Sequence, residues 1–326
     1  MNAVPGVLRR DPLTGAWTIV APRRETRPHD ATAGANANAG PAAVPDCPFC
    51  EGHEHLTPPE VDVVRPGGGP ANGPGWTVRV VPNKFPVLEG GHEVVIHSPR
   101  HDVPLHRQPL DEVTAVVAME QRRIAALSAA GAAAVTVILN QGSAAGASLA
   151  HPHSQIFATP IVPPVLVREL EQLRRHELKH GRCLLCDMIG AIVADGSLVV
   201  FDGPVVAWTP DAARWPYELR LAPAAHEPDV LDADPAMLAS ALRRALGALA
   251  VATNDAPLNA WLHTVPRADS GDPDEVPRPS FHWHLEVAPR LTTLAGFELG
   301  TGIGVDTVEP AVAAARLRAA LPAADA

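Results

Sequence analysis

The chain has 326 residues, enough for two ordinary domains or one large duplicated fold. Its composition, 46% hydrophobic and 19% charged, is that of a globular protein and excludes a disordered one. The net charge of −10 and the lack of a basic tract argue against a nucleic-acid partner, since duplex binding relies on clustered Lys and Arg. The N-terminus lacks a signal-peptide core and no apolar run reaches membrane-span length, so we expect a cytoplasmic protein without a membrane partner.

The chain alternates between loop-forming stretches and periodic segments. Gly, Pro and Ala-rich composition predicts solvated loops over 30–44, 65–75 and 268–280. Runs of β-branched residues predict strands over 16–20, 76–81, 93–97, 135–140, 198–201, 205–208, 218–221, 261–265 and 281–287. Apolar periodicity predicts helices over 110–130, 165–180, 235–253 and 310–320.

One order of features occurs twice along the chain. Each copy begins with a Cys-x-x-Cys pair, continues into a ten-residue segment that ends on His (92–101 and 217–226), and then has a long helix, a strand and a His-x-His. The recurrence of these features in the same order indicates a duplication rather than coincidence. The sequence therefore predicts two similar halves, over 1–163 and 164–326.

The four cysteines favour metal binding, because close Cys pairs in a reducing compartment point to metal or redox chemistry before structural disulfides. Zinc takes four thiolate or imidazole ligands, commonly one close Cys pair and two distant residues. The repeat thus predicts two structural zinc ions per chain. The ligands are Cys47, Cys50, His101 and His151 in the first half, and Cys183, Cys186, His226 and His282 in the second.

Other interpretations of these residues stay open. The pairs could be redox-active or simply buried thiols, although the first pair follows a Pro- and Ala-rich loop rather than a strand. His53 and His55 are rival ligands at the first site, but nothing equivalent follows the second pair. The remaining histidines have no partner signal and are expected to be ordinary strand or loop residues; examples are His92, His97, His106 and His263.

Segment 135–160 carries the signs of phosphate chemistry. A predicted strand ends at Asn140 and leads into a small-residue loop with Gly142, Gly146 and Ser148, where backbone N–H groups can approach a phosphate. On the extended segment that follows, the two histidines of His151-Pro-His153 share a face, so one can bind metal while the other meets substrate. A neutral imidazole can attack the α-phosphorus of a nucleotide-sugar. We therefore expect His153 to be the nucleophile, with Ser148 and Gln155 as donors to the phosphoryl oxygens.

From Asn140 to Gln155 the chain resembles the pattern Asn-x-Gly-x-x-x-Gly-x-Ser-x-x-His-Pro-His-(Gly/Ser)-Gln of the galactose-1-phosphate uridylyltransferase branch of the histidine triad superfamily. Segments 9–28, 79–86, 98–101 and 281–302 are similar to further parts of that family. The resemblance implies an α+β fold of two similar halves, each with an antiparallel sheet and helices. It also implies substrate contacts from Arg24, Arg27, Asn83, Asn140, Gly142, Gly146, Ser148 and Gln155.

The resemblance implies a two-step reaction in which UDP-glucose uridylylates His153 and galactose 1-phosphate then accepts the uridylyl group. The partners would be a nucleotide-sugar and a sugar 1-phosphate, and family members are commonly homodimers. Gln155 stands where histidine triad hydrolases carry a third His, and an amide cannot accept a proton at neutral pH, which favours transfer over hydrolysis.

Two rival functions remain. One is a phosphorylase that moves AMP from ADP-glucose to inorganic phosphate, since segment 296–302 offers mostly small residues where some uridylyltransferases place Lys, Tyr and Glu around the sugar. Phe297 and Glu298 are the candidate acceptor contacts there. The other is a non-catalytic, zinc-stabilised nucleotide-binding module. His282-Trp-His284 is expected to be a metal or substrate-edge element rather than a second nucleophile.

Overall fold

The computed structural model describes residues 6–26, 44–267 and 280–322. Its elements up to the middle of the chain are β1 (Val7–Arg10), β2 (Trp17–Val20), β3 (Asp62–Val64), β4 (Val78–Pro82), β5 (His92–Ile96), α1 (Leu110–Ala129), β6 (Ala134–Gln141), β7 (His153–Thr159) and α2 (Pro164–His180). The others are α3 (Leu184–Asp195), β8 (Val199–Phe201), β9 (Val205–Trp208), β10 (Leu219–Pro223), α4 (Pro235–Thr253), β11 (Leu258–His263), β12 (His284–Pro289), α5 (Gly296–Thr301), β13 (Gly304–Asp306) and α6 (Pro310–Ala319).

Ten strands form a single antiparallel sheet in the order β3-β4-β5-β7-β6-β11-β12-β10-β9-β8. From each edge to the centre the strands of the two halves follow the same order, so that β3, β4, β5, β7 and β6 correspond to β8, β9, β10, β12 and β11. The fold is therefore a duplicated α+β unit, as predicted. The halves meet where β6 pairs with β11, from Leu258 opposite Gln141 to Leu262 opposite Val137. The sequence did not indicate that the two sheets are continuous.

The two faces of the sheet differ because successive side chains of a strand point to opposite sides. On one face, Ile156 of β7 belongs to an apolar core with Val113 and Val117 of α1. On the opposite face, β7 presents His153 and Gln155. The first face thus packs against helices, while the second carries His153 and Gln155 beside a smaller apolar cluster that includes Val94 and Ile96 of β5.

Helix α4 contributes more residues to this core than any other element, Leu242, Ala245 and Leu249 among them. Of the helices that the structure describes, it has the length and apolar composition needed to cross a membrane. It packs against α1 and β9, however, so its apolar side chains fill the core between the helices and the sheet.

A buried ionic cluster attaches the N-terminal segment to the second half. The Arg220 side chain is 1% exposed, and its Nη2 lies 2.9 Å from both Asp11 Oδ2 and Glu286 Oε1. Burial alone would raise the pKa of Asp11, but the Arg220 guanidinium outweighs it and lowers that pKa. Asp11 begins the turn between β1 and β2, which with β13 form a separate three-stranded sheet.

The predicted helices all occur, with small shifts of boundary, and the nine predicted strands occur with shifts of up to three residues. Elements outside the predicted lists are β1, β3, β7, β13, α3 and α5. Of these, β7 falls on the segment that the sequence analysis described only as extended, and the others are short or lack clear periodicity. The predicted loop at 65–75 consists of turns and coil. Most of the other two predicted loops, 30–43 and 268–279, lies outside the described residues.

Glu120 of α1 is a carboxyl group within the apolar layer. It accepts a hydrogen bond from Ser154 Oγ at 2.6 Å, and burial raises the pKa of Glu120 from 4.5 to about 7. At pH values between 4.5 and about 7, the Glu120 carboxyl keeps its proton in the folded protein but has released it in the unfolded chain. The stability contributed by the neutral carboxyl is therefore present at low pH and is lost as the pH rises towards 7.

We predict that Glu120→Gln removes this pH dependence, because an amide stays neutral throughout. The unfolding free energy of the wild type relative to Glu120→Gln should fall by about 2–3 kcal/mol between pH 5 and pH 8. Urea denaturation at both pH values measures it, with Glu171→Gln on the exposed side of α2 as control. Parallel pH profiles of the wild type and Glu120→Gln would contradict the prediction.

Candidate functional site

The structure brings the first predicted ligand quartet together in a buried cluster of Cys47, Cys50, His101 and His151. His151 Nδ1 lies 3.7 Å from the Sγ atoms of both cysteines, and His101 Nδ1 lies 3.7 Å from Cys50 Sγ. His151 Nε2 donates to Ser98 O at 2.7 Å, so its Nδ1 lone pair faces the thiols. Tetrahedral bonds of zinc length would hold sulfur and nitrogen about 3.6 Å apart. These four residues fit a metal ion.

The second quartet repeats this geometry. His282 Nδ1 lies 3.7 Å and 3.5 Å from the Sγ atoms of Cys183 and Cys186, and His226 Nδ1 lies 3.4 Å from Cys186 Sγ. His282 Nε2 donates to Pro223 O at 3.0 Å, the counterpart of the bond made by His151. This cluster is more open, because both cysteines are only half-buried and His226 is exposed.

The structure also bears on the rival interpretations of the cysteines. Cys183 occupies the N-cap position of α3, a position that redox-active Cys pairs also occupy. The local context of the second pair therefore does not distinguish a redox pair from a metal-binding pair. The approach of two distant histidines to each pair favours metal instead. His53 lies outside the first quartet, with its Nδ1 2.8 Å from Cys47 O, and His55 is exposed.

His153 opens β7 and is 6% exposed. Its Nδ1 lies 2.7 Å from His151 O, and a carbonyl can only accept, so Nδ1 carries the hydrogen and the Nε2 lone pair is left available. Burial lowers the pKa of His153, although the backbone hydrogen bond partly opposes this, so the ring is neutral at pH 7. Phe49, from within the Cys47–Cys50 knuckle, packs edge-on against this ring with centroids 5.2 Å apart.

The glycine loop follows β6 and faces the same cleft. Gly142 and Gly146 both have φ of +84°, a left-handed conformation that residues with a Cβ seldom adopt, and they bracket a short 3-10 helix at Ser143–Ala145. A cleft lined by Asn140, Gly142, Leu149, Ala150 and His153, among others, lies beside the loop. Ser148 is exposed at the loop's far end. The predicted nucleophile and phosphate loop therefore share one cavity.

Asn259 of β11 supports this loop from the other half of the molecule. Its Nδ2 donates to Asn140 Oδ1 at 2.6 Å and to Ala145 O at 2.8 Å, and its Oδ1 accepts from Arg290 Nε. Sequence analysis missed Asn259, because its partners in the first half, Asn140 and Ala145, lie more than 100 residues away and meet it only through the pairing of β6 with β11.

Gln155 lies two residues beyond His153 on the same face of β7, where it meets Asn83 and His92. Gln155 Oε1 is 2.7 Å from His92 Nε2 and 3.5 Å from Asn83 Nδ2. Asn83 was predicted to line the site, whereas His92 was expected to be an ordinary strand residue. Arg24 is exposed on the 3-10 helix Pro22–Thr26, where its side chain makes no hydrogen bond to the described residues, and Arg27 lies outside them.

The second half contains a counterpart of His153 with different surroundings. His284 Nδ1 donates to His282 O at 3.2 Å, but the His284 ring is fully buried. Glu169 Oε2 lies 3.5 Å from its Nε2 and 2.9 Å from His263 Nδ1, and the three side chains converge closely enough to hold a metal ion. Burial lowers the pKa of His284 to about 3. In the second half a carboxylate thus faces Nε2 of His284, whereas in the first half the corresponding nitrogen of His153 is open to a cleft.

Comparison with known proteins gives consistent results. The family model for the N-terminal domain of galactose-1-phosphate uridyl transferase matches residues 84–163. The chain is 31% identical to ADP-glucose phosphorylase of Arabidopsis thaliana, over 93% of this chain and 90% of the relative. It is 28% identical to galactose-1-phosphate uridylyltransferase of Thermotoga maritima, over 69% of each chain. The crystal structure of the Arabidopsis ADP-glucose phosphorylase with bound ADP-glucose superposes with a TM-score of 0.81, at 30% identity, covering 97% of this chain and 98% of that one.

We predict that Asn259→Ala weakens nucleotide binding, because the variant loses both hydrogen bonds that hold the glycine loop. Isothermal titration with ADP and UDP should show about 10-fold weaker affinity. Gln121→Ala is the matched control: its amide also bridges the halves, donating to Val230 O and Ala233 O, but on the helix side of the sheet. Equal affinities of Asn259→Ala and the control would show that the loop does not depend on this anchor.

Proposed function

Since the chain belongs to the galactose-1-phosphate uridylyltransferase family, we propose that this nucleotidyltransferase moves a nucleoside monophosphate from a nucleotide-sugar to a phosphate acceptor through a covalent adduct on His153. The observation that carries the proposal is the tautomer of His153. With Nδ1–H bound to a backbone carbonyl, Nε2 presents a lone pair beside the glycine loop. Rigid placement of a neutral imidazole is what in-line attack on phosphorus requires.

In the first step, His153 Nε2 attacks the α-phosphorus, a P–N bond forms, and the P–O bond to the sugar 1-phosphate breaks with its electron pair leaving on oxygen. Positive charge that develops on the ring is stabilised by the Nδ1–H bond to His151 O. In the second step an acceptor phosphate oxygen attacks the same phosphorus, and the P–N electrons return to Nε2. Gln155 and loop donors stabilise the charge on the phosphoryl oxygens in both steps.

For the substrate we favour ADP-glucose, with phosphate as acceptor. The Arabidopsis ADP-glucose phosphorylase is 31% identical over 93% of the chain, against 27% over 95% for the uridylyltransferase of Hypocrea jecorina, and an ADP-glucose phosphorylase structure superposes with a TM-score of 0.81, against 0.71 for a uridylyltransferase. Segment 296–302 consists of α5 and its C-cap Gly302. Its larger apolar side chains, Phe297 and Leu299, are exposed, and the Glu298 carboxylate accepts a cap hydrogen bond from Ala295 N at 3.1 Å, so the segment offers little unengaged polar chemistry for a second sugar. UDP-glucose with galactose 1-phosphate is the second candidate, supported by the match to the uridyl transferase family model.

We further propose that both Cys and His quartets hold zinc with a structural role. Two thiolates and two imidazoles are a preferred zinc donor set, and with four protein ligands no position stays open for substrate. The first quartet fixes His151, whose carbonyl orients the nucleophile, and Phe49, which packs against it. Metal there would make the nucleophile's support rigid.

We predict that the wild type, incubated with α-³²P-labelled ADP-glucose or UDP-glucose, acquires acid-labile, base-stable label from its true donor. His153→Ala should acquire none, and His180→Ala, altered at the exposed end of α2, should label normally. Chasing the adduct with phosphate or with galactose 1-phosphate identifies the acceptor. Nucleotide binding without label in the wild type would favour the non-catalytic module, and label on His153→Ala would exclude that residue as nucleophile.

Elemental analysis should find two zinc ions per chain, and Cys47→Ser and Cys183→Ser should each retain one. Because the second cluster is more exposed, a chelator should strip it first. Loss of the first ion should lower the unfolding temperature and abolish labelling, since metal binding and local folding are coupled. A Cys47→Ser protein that keeps both zinc ions would contradict the assigned ligands.

A further inference from the structure

We propose that His92 is a positioning residue that sets the orientation of the Gln155 amide, so that the Gln155 NH₂ group faces the phosphoryl oxygens of the substrate. The proposal rests on the function proposed above and adds a positioning residue to the same site. Its basis is a series of hydrogen bonds: the Val87 N–H sets the tautomer of His92, and His92 in turn sets the orientation of the Gln155 amide.

The chain begins at the backbone of Val87. Its N–H can only donate, and it lies 3.2 Å from His92 Nδ1, so Nδ1 accepts. The hydrogen of the neutral imidazole is then on Nε2, which lies 2.7 Å from the side-chain amide of Gln155. A donor at that distance selects the oxygen end of the amide, so Oε1 faces His92 and the NH₂ group faces away from it.

Asn83 reinforces the same orientation. Its Oδ1 accepts from Phe85 N at 2.8 Å, which makes Nδ2 the free donor end, and Nδ2 lies 3.5 Å from Gln155 Oε1. Asn83 Nδ2 and His92 Nε2 are 3.1 Å apart because both point at this one oxygen. A reversed Gln155 amide would place its NH₂ against two donors and leave all of them unsatisfied.

The imidazole is held firmly enough to act in this way. It is 5% exposed and stacks on Phe157, its cross-strand neighbour, with ring centroids 4.1 Å apart. The preceding Gly91 allows β5 to approach β7, since a Cβ there would lie 2.5 Å from Ala158 O. Asn83 N also donates to His92 O at 2.9 Å, which ties the start of the exposed 83–91 segment to the strand.

The orientation determines whether Gln155 helps or hinders the reaction. An NH₂ group beside a phosphoryl oxygen stabilises the negative charge of the transition state, whereas an amide oxygen in that position repels it. His92 has no atom that needs to touch substrate for this effect. Removing its Nε2–H should therefore slow adduct formation through Gln155 alone.

A double-mutant cycle tests this with His92→Phe, which keeps the stacking on Phe157 but has no donor, and Gln155→Ala. We expect His92→Phe to slow formation of the His153 adduct about 10- to 100-fold, and to cause no further loss in the Gln155→Ala background. His92→Gln, whose amide nitrogen can occupy the position of Nε2, should recover most of the rate. Additive losses, or a His92→Phe protein as fast as the wild type, would overturn the proposal.

The same double-mutant cycle, with ADP affinity from isothermal titration as the readout, distinguishes failure of the positioning role from failure of the transferase proposal. A wild type that binds ADP but forms no adduct would refute the transferase, while coupling between His92 and Gln155 in ADP binding would still support the positioning role. If the wild type forms no adduct, equal ADP affinities in the wild type and His92→Phe would refute the positioning role as well. Zinc content and unfolding temperature should stay unchanged in His92→Phe.

Discussion

The hydrogen bond from His153 Nδ1 to the carbonyl of His151 is the interaction on which the proposed chemistry depends. It fixes the tautomer and the plane of the ring, and it gives the developing positive charge an acceptor. The carbonyl is itself held, because the His151 ring lies in the first Cys and His quartet and donates to Ser98 O. A surface imidazole without this support would rotate and titrate near its usual pKa, and would be a poor nucleophile at a defined position.

The duplication preserved this hydrogen bond in both halves, but among the described residues only His153 combines it with a place in the cleft beside the glycine loop. His284 makes the same type of bond to His282 O, yet it is fully buried with Glu169 across its Nε2. The second half contributes differently, through Asn259 and Arg290, which hold the glycine loop of the first half. Pairing of β6 with β11 thus makes the two halves one functional unit, since the loop's anchor comes from the other side of that seam.

Local pattern was sufficient for much of the fold and site. Four long helices followed from apolar periodicity, and both metal quartets followed from the repeated order of Cys and His, with all eight side chains brought together as the spacing suggested. His92 and His263 were not identified, because each is defined by a partner on another element: Gln155 for the first, Glu169 for the second. Nothing in the neighbouring residues signals such a partner.

The sequence by itself determined the duplication, the ligand types and the nucleophile candidate, because each depends on residue identity at short spacing along one strand or turn. Only the tertiary structure decided that the ten strands form one sheet, that His153 faces a cleft while His284 Nε2 is buried against Glu169, and which way the Gln155 amide faces. These properties arise from contacts between residues far apart in the chain. Side-chain hydrogen bonding and burial are set by such contacts, and no local periodicity encodes them.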